Sequence, residues 1–246
     1  MLDIIGSIAL TALAVTGSAA LILASPLDDR AKLRLAGVTG AWFVAMVGLG
    51  AAGLFSAASR VGTPAIGLAV VVPVLIVVAS AILGSRTRAV ILGIPLTLLV
   101  AIHVGRLLGV FFLLLHAAGR IPPTFALSAG WGDIAVAVFA VPLAWAVHRR
   151  VPGWQTLTLA WNAVAFLDLV IAVTLGAGSA PGSPIRFIFE DPNASAIGTL
   201  PWPLIPGFLV PLYLLTHLAI FAQVVVNQRA AGRFSRSSGL AMKPMP

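Results

Sequence analysis

Arg106 is the residue whose type and position first suggest chemistry, because it lies in the middle of an apolar run over 89–118. A charge inside lipid costs at least about 2.5–3.5 kcal/mol, so it needs an acidic or polar partner. Two acids, Asp133 and Asp168, lie well inside other apolar runs. The sequence therefore predicts that Arg106 pairs with one or both acids, and that this buried group is a ligand site.

Two histidines accompany these charges. His103 precedes Arg106 by three residues and so shares its helix face, while His217 lies in the last apolar run. At a helical rise of about 1.5 Å per residue, the two histidines and three charges all lie roughly 14–22 Å below one membrane surface. The predicted ligand-binding residues are Arg106, Asp133, Asp168, His103, His217, Trp131, Trp161 and Asn162.

This pattern favours a carrier or binding protein for a small polar or anionic molecule over an enzyme. Arg106 would meet an anionic group, and the two aspartates would balance its charge or accept a proton. The histidines would relay protons near the midplane of the membrane. No catalytic residue, cofactor or metal is expected, and the ligand is not specified by the sequence.

Three alternatives remain open. Arg106 and the two aspartates could form a buried ion pair that only fixes helix packing. His103 and His217 match in depth, so they could ligate a single b-type haem in a redox or sensor protein. The chain could also be a non-catalytic accessory subunit that packs a small-residue face, such as the one at Gly48 and Gly53, against a membrane partner or a second copy.

The composition predicts an all-α membrane bundle. The chain is 60% hydrophobic and only 9% charged, whereas soluble domains average about 25% charged residues. Its apolar runs are continuous, which favours helices over the strands of a barrel. Cysteine is absent, which excludes disulfides, thiolate catalysis and cysteine-based metal sites. The net charge of +8 is scattered through short loops and does not suggest nucleic-acid binding.

Seven spans are long enough to cross a bilayer, over roughly 3–25, 35–58, 64–84, 89–118, 124–147, 154–177 and 203–227. One set of connecting segments holds 11 of the basic residues and the other holds 3, which predicts the N-terminus outside and the C-terminus in the cytoplasm. On this basis 1–227 is one transmembrane domain, 178–202 is an extracytoplasmic loop within it, and 228–246 is a disordered basic cytoplasmic tail.

Four short motifs carry a resemblance to known proteins: His103-x-x-Arg106-x-x-Gly109, Gly130-Trp131-Gly132-Asp133-Ile134, Ala160-Trp161-Asn162 with Asp168, and Pro206 to Pro211 before His217. Together they resemble a group of small seven-span bacterial membrane proteins. The resemblance covers spans four to seven, implies a bacterial cytoplasmic membrane and implies no particular chemistry. Short matches between spans two and six suggest that spans one to three repeat as spans five to seven. Such a 3+1+3 arrangement resembles the topology of SWEET sugar carriers.

Overall fold

Seven long apolar helices dominate the computed structural model, which describes the backbone of residues 1–240 and the side chains of residues 1–226. The α-helices are α1 (Leu2–Ala24), α2 (Asp29–Ala51), α3 (Gly62–Leu83), α4 (Ser85–Gly93), α5 (Leu96–Ala101), α6 (Val110–Ala117), α7 (Pro123–Arg149), α8 (Trp154–Ser179) and α9 (Val210–Leu240). No strand occurs within residues 1–240. The predicted fold class, an all-α bundle with seven candidate membrane spans, is confirmed.

The fourth span is wrong in its predicted bounds, because 89–118 is not one helix and the candidate span is Leu96–Ala117. Pro95 has no N–H to donate to the carbonyl of Ile91, so the helix is interrupted there. The side-chain amide of Gln223 donates instead to the carbonyls of Ile91 (2.9 Å) and Ile94 (2.8 Å). Gln223 therefore supplies hydrogen bonds at the break and ties it to α9.

The second span also differs from its predicted range of 35–58. The Asp28 carboxylate accepts a hydrogen bond from the backbone N–H of Ala31, which caps the helix and starts α2 in the charged segment. After Ala51 the chain turns, and Gly53 adopts φ 71°, a conformation that glycine adopts readily. The remaining five spans lie within a few residues of their predicted bounds.

Three helical segments within residues 1–240 are not regular α-helix, and one of them is a short 3-10 helix over Ala194–Gly198 in the long segment after α8. The other two belong to membrane spans. The chain between α5 and α6 is a 3-10 helix over Ile102–Gly109, and α9 is preceded by a π-helical turn over Ile205–Leu209 that contains Pro206 and Gly207. The indole N–H of Trp42 on α2 donates to the carbonyl of Gly207 at 3.0 Å. At the centre of the bundle, α7 packs against α8, the 3-10 helix, α6 and α5.

The long segment between α8 and the π-helical turn lies across the ends of three helices. The Glu190 carboxylate accepts hydrogen bonds from the backbone N–H and the hydroxyl of Thr124, at the start of α7. The Thr63 hydroxyl of α3 donates to the carbonyl of Pro181, and the Trp202 indole donates to Asp3 of α1. The segment is thus tied to the bundle at three points.

Nothing in the fold tests the predicted direction of membrane insertion. The backbone continues as helix to Leu240. The predicted disordered tail, 228–246, has its side chains and its last six residues outside the described part of the chain.

Candidate functional site

One face of the 3-10 helix Ile102–Gly109 contributes three buried residues to the site. Residues three apart eclipse in a 3-10 helix, so His103, Arg106 and Gly109 project in the same direction, and all three are buried. Gly109 leaves room for a neighbour, because a Cβ built on it would overlap the side chain of Asp133. A Cβ on Gly132 of α7 would likewise overlap the carboxylate of Asp168 on α8. The absence of a side chain at Gly109 and Gly132 therefore allows the segments that carry the two acids to approach closely.

Arg106 joins three helical segments through an ion-pair group that we define as Arg106, Asp133 and Asp168. Its Nε donates to Asp133 Oδ1 at 2.6 Å, and its Nη2 donates to Asp168 Oδ2. The remaining amino nitrogen, Nη1, donates to the carbonyl of Ala165 at 2.9 Å. Arg106 is only 2% exposed, while the two aspartate side chains are 13% and 18% exposed. The ion pair expected from the sequence is present and includes both acids.

The formal charge of the ion-pair group is not zero. One guanidinium and two ionised carboxylates sum to −1. Negative charge in an apolar surrounding is unfavourable unless it is compensated. A proton or a cationic group close to the two carboxylates would remove this excess.

His103 and His217 form a second buried group, which we call the histidine pair. Both residues are 0% exposed, and their ring centroids lie 4.1 Å apart with the planes inclined at 33°. The Thr216 hydroxyl donates its hydrogen to the carbonyl of Tyr213 and lies 3.2 Å from His103 Nε2. Because its single hydrogen is used, this hydroxyl accepts from Nε2–H, and Nδ1 of His103 carries the lone pair.

The same reasoning assigns the protons of His217. Asn162 donates through its amide nitrogen to the backbone carbonyl of His217, which turns its Oδ1 towards the ring at 2.7 Å from Nδ1. Nδ1 therefore carries the hydrogen and Nε2 carries the lone pair. Neither His103 Nδ1 nor His217 Nε2 has a hydrogen-bond partner among the described residues. The histidine pair thus presents two free proton acceptors.

Tyr213 lies between the two groups. Its ring stacks on His103 with centroids 5.2 Å apart, and its buried hydroxyl has no hydrogen-bond partner within the described part of the chain. A cavity of about 30 Å³ is lined by Tyr213, Arg106 and Asp133, together with apolar residues of α1, the 3-10 helix and the π-helical turn. This volume is large enough for a water molecule.

The other predicted site residues divide into two sets. Trp161 packs edge-on to His103 with centroids 5.3 Å apart, and Asn162 binds His217, so both belong to the site. Trp131 does not, because it is 61% exposed on the outside of the bundle. It precedes Asp133 by two residues, which is about 200° around an α-helix, so the two side chains leave opposite faces of α7.

Three contributors were missed in the sequence: Tyr213, Thr216 and the carbonyl of Ala165. Tyr213 is the chain's single tyrosine and precedes His217 by four residues, a spacing that places both on one helix face. That spacing could have revealed it. The backbone carbonyl has no signal in the sequence, because its role depends on how α8 packs.

The arrangement of the histidine pair bears on the haem alternative. A haem ligated by both imidazoles lies between them, whereas these rings are stacked against each other. Binding a haem here would require the 3-10 helix and α9 to move apart. Among residues 1–226, whose side chains the structure describes, there is also no group of three or more histidine or acidic side chains placed to hold a metal ion.

A family model described as a domain of unknown function, DUF8737, matches residues 63–225, which is 163 of the 246 residues. The chain belongs to the DUF8737 family. The matched region begins in α3 and contains the whole ion-pair group and histidine pair, whereas α1 and α2 lie outside it. No curated protein and no solved structure matches the chain.

Proposed function

We propose that this DUF8737 protein is a membrane carrier or binding protein for a small polar or anionic molecule that binds beside Arg106. One observation carries the proposal. Arg106 is held among seven apolar helices by carboxylates from two different helices, next to a small cavity that it helps to line. Ionisable groups at membrane depth are costly and are characteristic of substrate and ion pathways.

The geometry suggests how an anion would bind. Arg106 already donates to two carboxylates, so an incoming anionic group must replace one of them. Asp168 is the more exposed of the two and is the partner that we expect to leave. If Asp168 takes up a proton as it leaves, the anion binds Arg106 without adding negative charge to the group. This exchange links ligand binding to proton uptake.

The irregular helices support a site that opens. Both the 3-10 helix and the π-helical turn contribute residues to the cavity wall. Interrupted membrane helices commonly form the binding sites of carriers, because their free backbone groups and altered geometry can rearrange around a ligand. A cavity of about 30 Å³ is too small for most metabolites, so ligand entry requires these segments to move.

Cysteine labelling tests this directly, since the chain has no native cysteine. Leu209 is buried and lines the cavity, whereas Leu143 is equally buried in a separate apolar cluster. We expect a water-soluble maleimide to label Leu209→Cys in membrane vesicles and to leave Leu143→Cys unlabelled. Acetate and glycerol, as an anionic and a neutral probe, would test whether an occupant protects the cysteine.

The sidedness of labelling distinguishes the two roles. A carrier exposes Leu209→Cys to reagent from both faces of the membrane, whereas a binding protein exposes it from one face. If Leu209→Cys is as unreactive as Leu143→Cys from both faces, the cavity is sealed. The ion-pair group would then serve only helix packing, and the proposal would fail.

The same reagent tests the proposed placement in a bacterial cytoplasmic membrane with the N-terminus outside. Ser195 is exposed in the long segment after α8, and Ser85 is exposed at the start of α4. In intact cells we expect Ser195→Cys to be labelled and Ser85→Cys to be protected. The reverse pattern would invert the orientation.

A further inference from the structure

The histidine pair is left unused by anion binding at Arg106, although it is the most buried polar group of the site. One ring nitrogen of each histidine and the hydroxyl of the adjacent Tyr213 have no hydrogen-bond partner among the described residues. Leaving a buried donor or acceptor unpaired costs about 1–3 kcal/mol per group. Three such atoms on three adjacent rings indicate a site that binds a further group.

The free atoms suggest the chemistry of what binds. His103 Nδ1 and His217 Nε2 both carry lone pairs, as the hydrogen bonds of Thr216 and Asn162 require. Lone pairs on two neighbouring imidazoles bind either a proton or a metal ion. Neither histidine lines the cavity, and no third histidine or acidic ligand joins them in the described part of the chain. A proton needs neither space nor a third ligand, so the geometry favours it.

A series of adjacent side chains lies between the histidine pair and the ion-pair group. Asp133 and Tyr213 line the same cavity, where a water can bridge the carboxylate and the hydroxyl. Tyr213 then stacks on His103 at 5.2 Å, and His103 on His217 at 4.1 Å. The charged and titratable groups that face this series are Arg106 from the 3-10 helix, Asp133 from α7 and Asp168 from α8.

We infer that the histidine pair binds a proton and exchanges it with Asp133 by way of the Tyr213 hydroxyl and a water in the cavity that Tyr213 and Asp133 both line. In this transfer the Asp133 carboxyl loses its proton and becomes a carboxylate. His103 or His217 gains a proton on its free nitrogen and becomes an imidazolium. The total charge of the site does not change. A role for this proton in transport rests on the proposed function. If the protein is a carrier, the proton is the ion whose movement is coupled to that of the ligand.

Infrared difference spectroscopy of the protein in lipid, recorded while the pH is changed, tests proton binding without any ligand. The variants are His103→Gln and His217→Gln, with His148→Gln as control because His148 is exposed at the end of α7. We expect both pair variants to lose the same component of the imidazole protonation signal, and His148→Gln to retain that component. Tyr213→Phe should retain that component but shift the carboxyl C=O stretch, because the hydroxyl that shares the cavity with Asp133 is gone.

Two results would overturn the inference. One is an imidazole signal that is unchanged in both pair variants, provided that their helical content and elution volume match wild type. The other is stoichiometric Zn²⁺ binding by wild type that both pair variants lose, which would make the histidine pair a metal site.

A second measurement separates this inference from the proposed function. The labelling rate of Leu209→Cys, divided by that of the exposed Ser195→Cys at the same pH to remove the pH dependence of the thiol itself, should vary with pH in the wild-type background and become constant with His217→Gln. A ratio that is measurable but constant with pH in both backgrounds would retain the carrier and refute the coupling. An imidazole signal in a protein whose Leu209→Cys is never labelled would support the proton site and refute the proposed carrier function.

Discussion

Replacing Arg106 with methionine removes the guanidinium that two carboxylates share. Asp133 and Asp168 would then face each other at 13% and 18% exposure with no cation between them. Breaking a buried ion pair by removing one partner costs about 3–5 kcal/mol, because a buried charge is left uncompensated. We therefore expect Arg106→Met to lower the free energy of unfolding by about 3–5 kcal/mol.

A triple variant identifies the cause of that loss. Arg106→Met with Asp133→Asn and Asp168→Asn removes all three charges while keeping the volume of both acids. The carbonyl of Ala165, which also takes part in the backbone hydrogen bonding of α8, loses the bond from Arg106, at a cost of about 0.5–1.5 kcal/mol. The triple variant should therefore be more stable than the single variant, although it contains two more substitutions.

The assay is reversible unfolding in mixed micelles, followed by helical circular dichroism. Arg60 is an exposed arginine, and Arg60→Met should change the free energy of unfolding by no more than about 0.5 kcal/mol. A triple variant no more stable than Arg106→Met would show that uncompensated charge is not the cause. A loss below about 1 kcal/mol for Arg106→Met would refute the reasoning altogether, because it falls outside the range for a buried ion pair.

Two further substitutions test the packing that positions the site. Gly132→Ala should destabilise the protein by about 1–3 kcal/mol, because the added methyl group overlaps Asp168. Gly48→Ala is the control, since its methyl group meets nothing within 4 Å, and thermal unfolding compares the two variants. Gln223→Leu should lower the free energy of unfolding by about 1–3 kcal/mol, since the carbonyl of Ile91 loses its donor. Amide hydrogen exchange should become faster at the break between α4 and α5, and unchanged exchange there would contradict this prediction.

The sequence predicted those parts of the fold that follow from the chain having lipid as its solvent. Continuous apolar runs must form helices there, and a charge within them must find a partner, so the seven helices and the pairing of Arg106 both followed. These inferences need no knowledge of neighbouring helices. They depend only on the cost of leaving polar groups unsatisfied.

The break in the fourth span and the position of Trp131 show where such reasoning stops. Pro95 was visible in the sequence, but a proline can bend a membrane helix or end it, and Gln223, 128 residues further on, supplies the bonds that stabilise the break. Trp131 was placed in the site because it lies next to Gly132 and Asp133 in sequence. Helical geometry sends its side chain to the opposite face, so adjacency along the chain was the wrong criterion.

The 3-10 helix connects the fold to the proposed coupling. In an α-helix His103 and Arg106 would differ by about 60° around the axis, whereas in the 3-10 helix they eclipse. A return of Ile102–Gly109 to α-helical geometry would therefore turn one residue away from its partners while the other stayed in place. In that geometry the partners of Arg106 and the partner of His103 would no longer lie in register along the segment. Protonation of the histidine pair and release of a carboxylate from Arg106 would each act on the same short segment, which gives the two groups a physical route of communication.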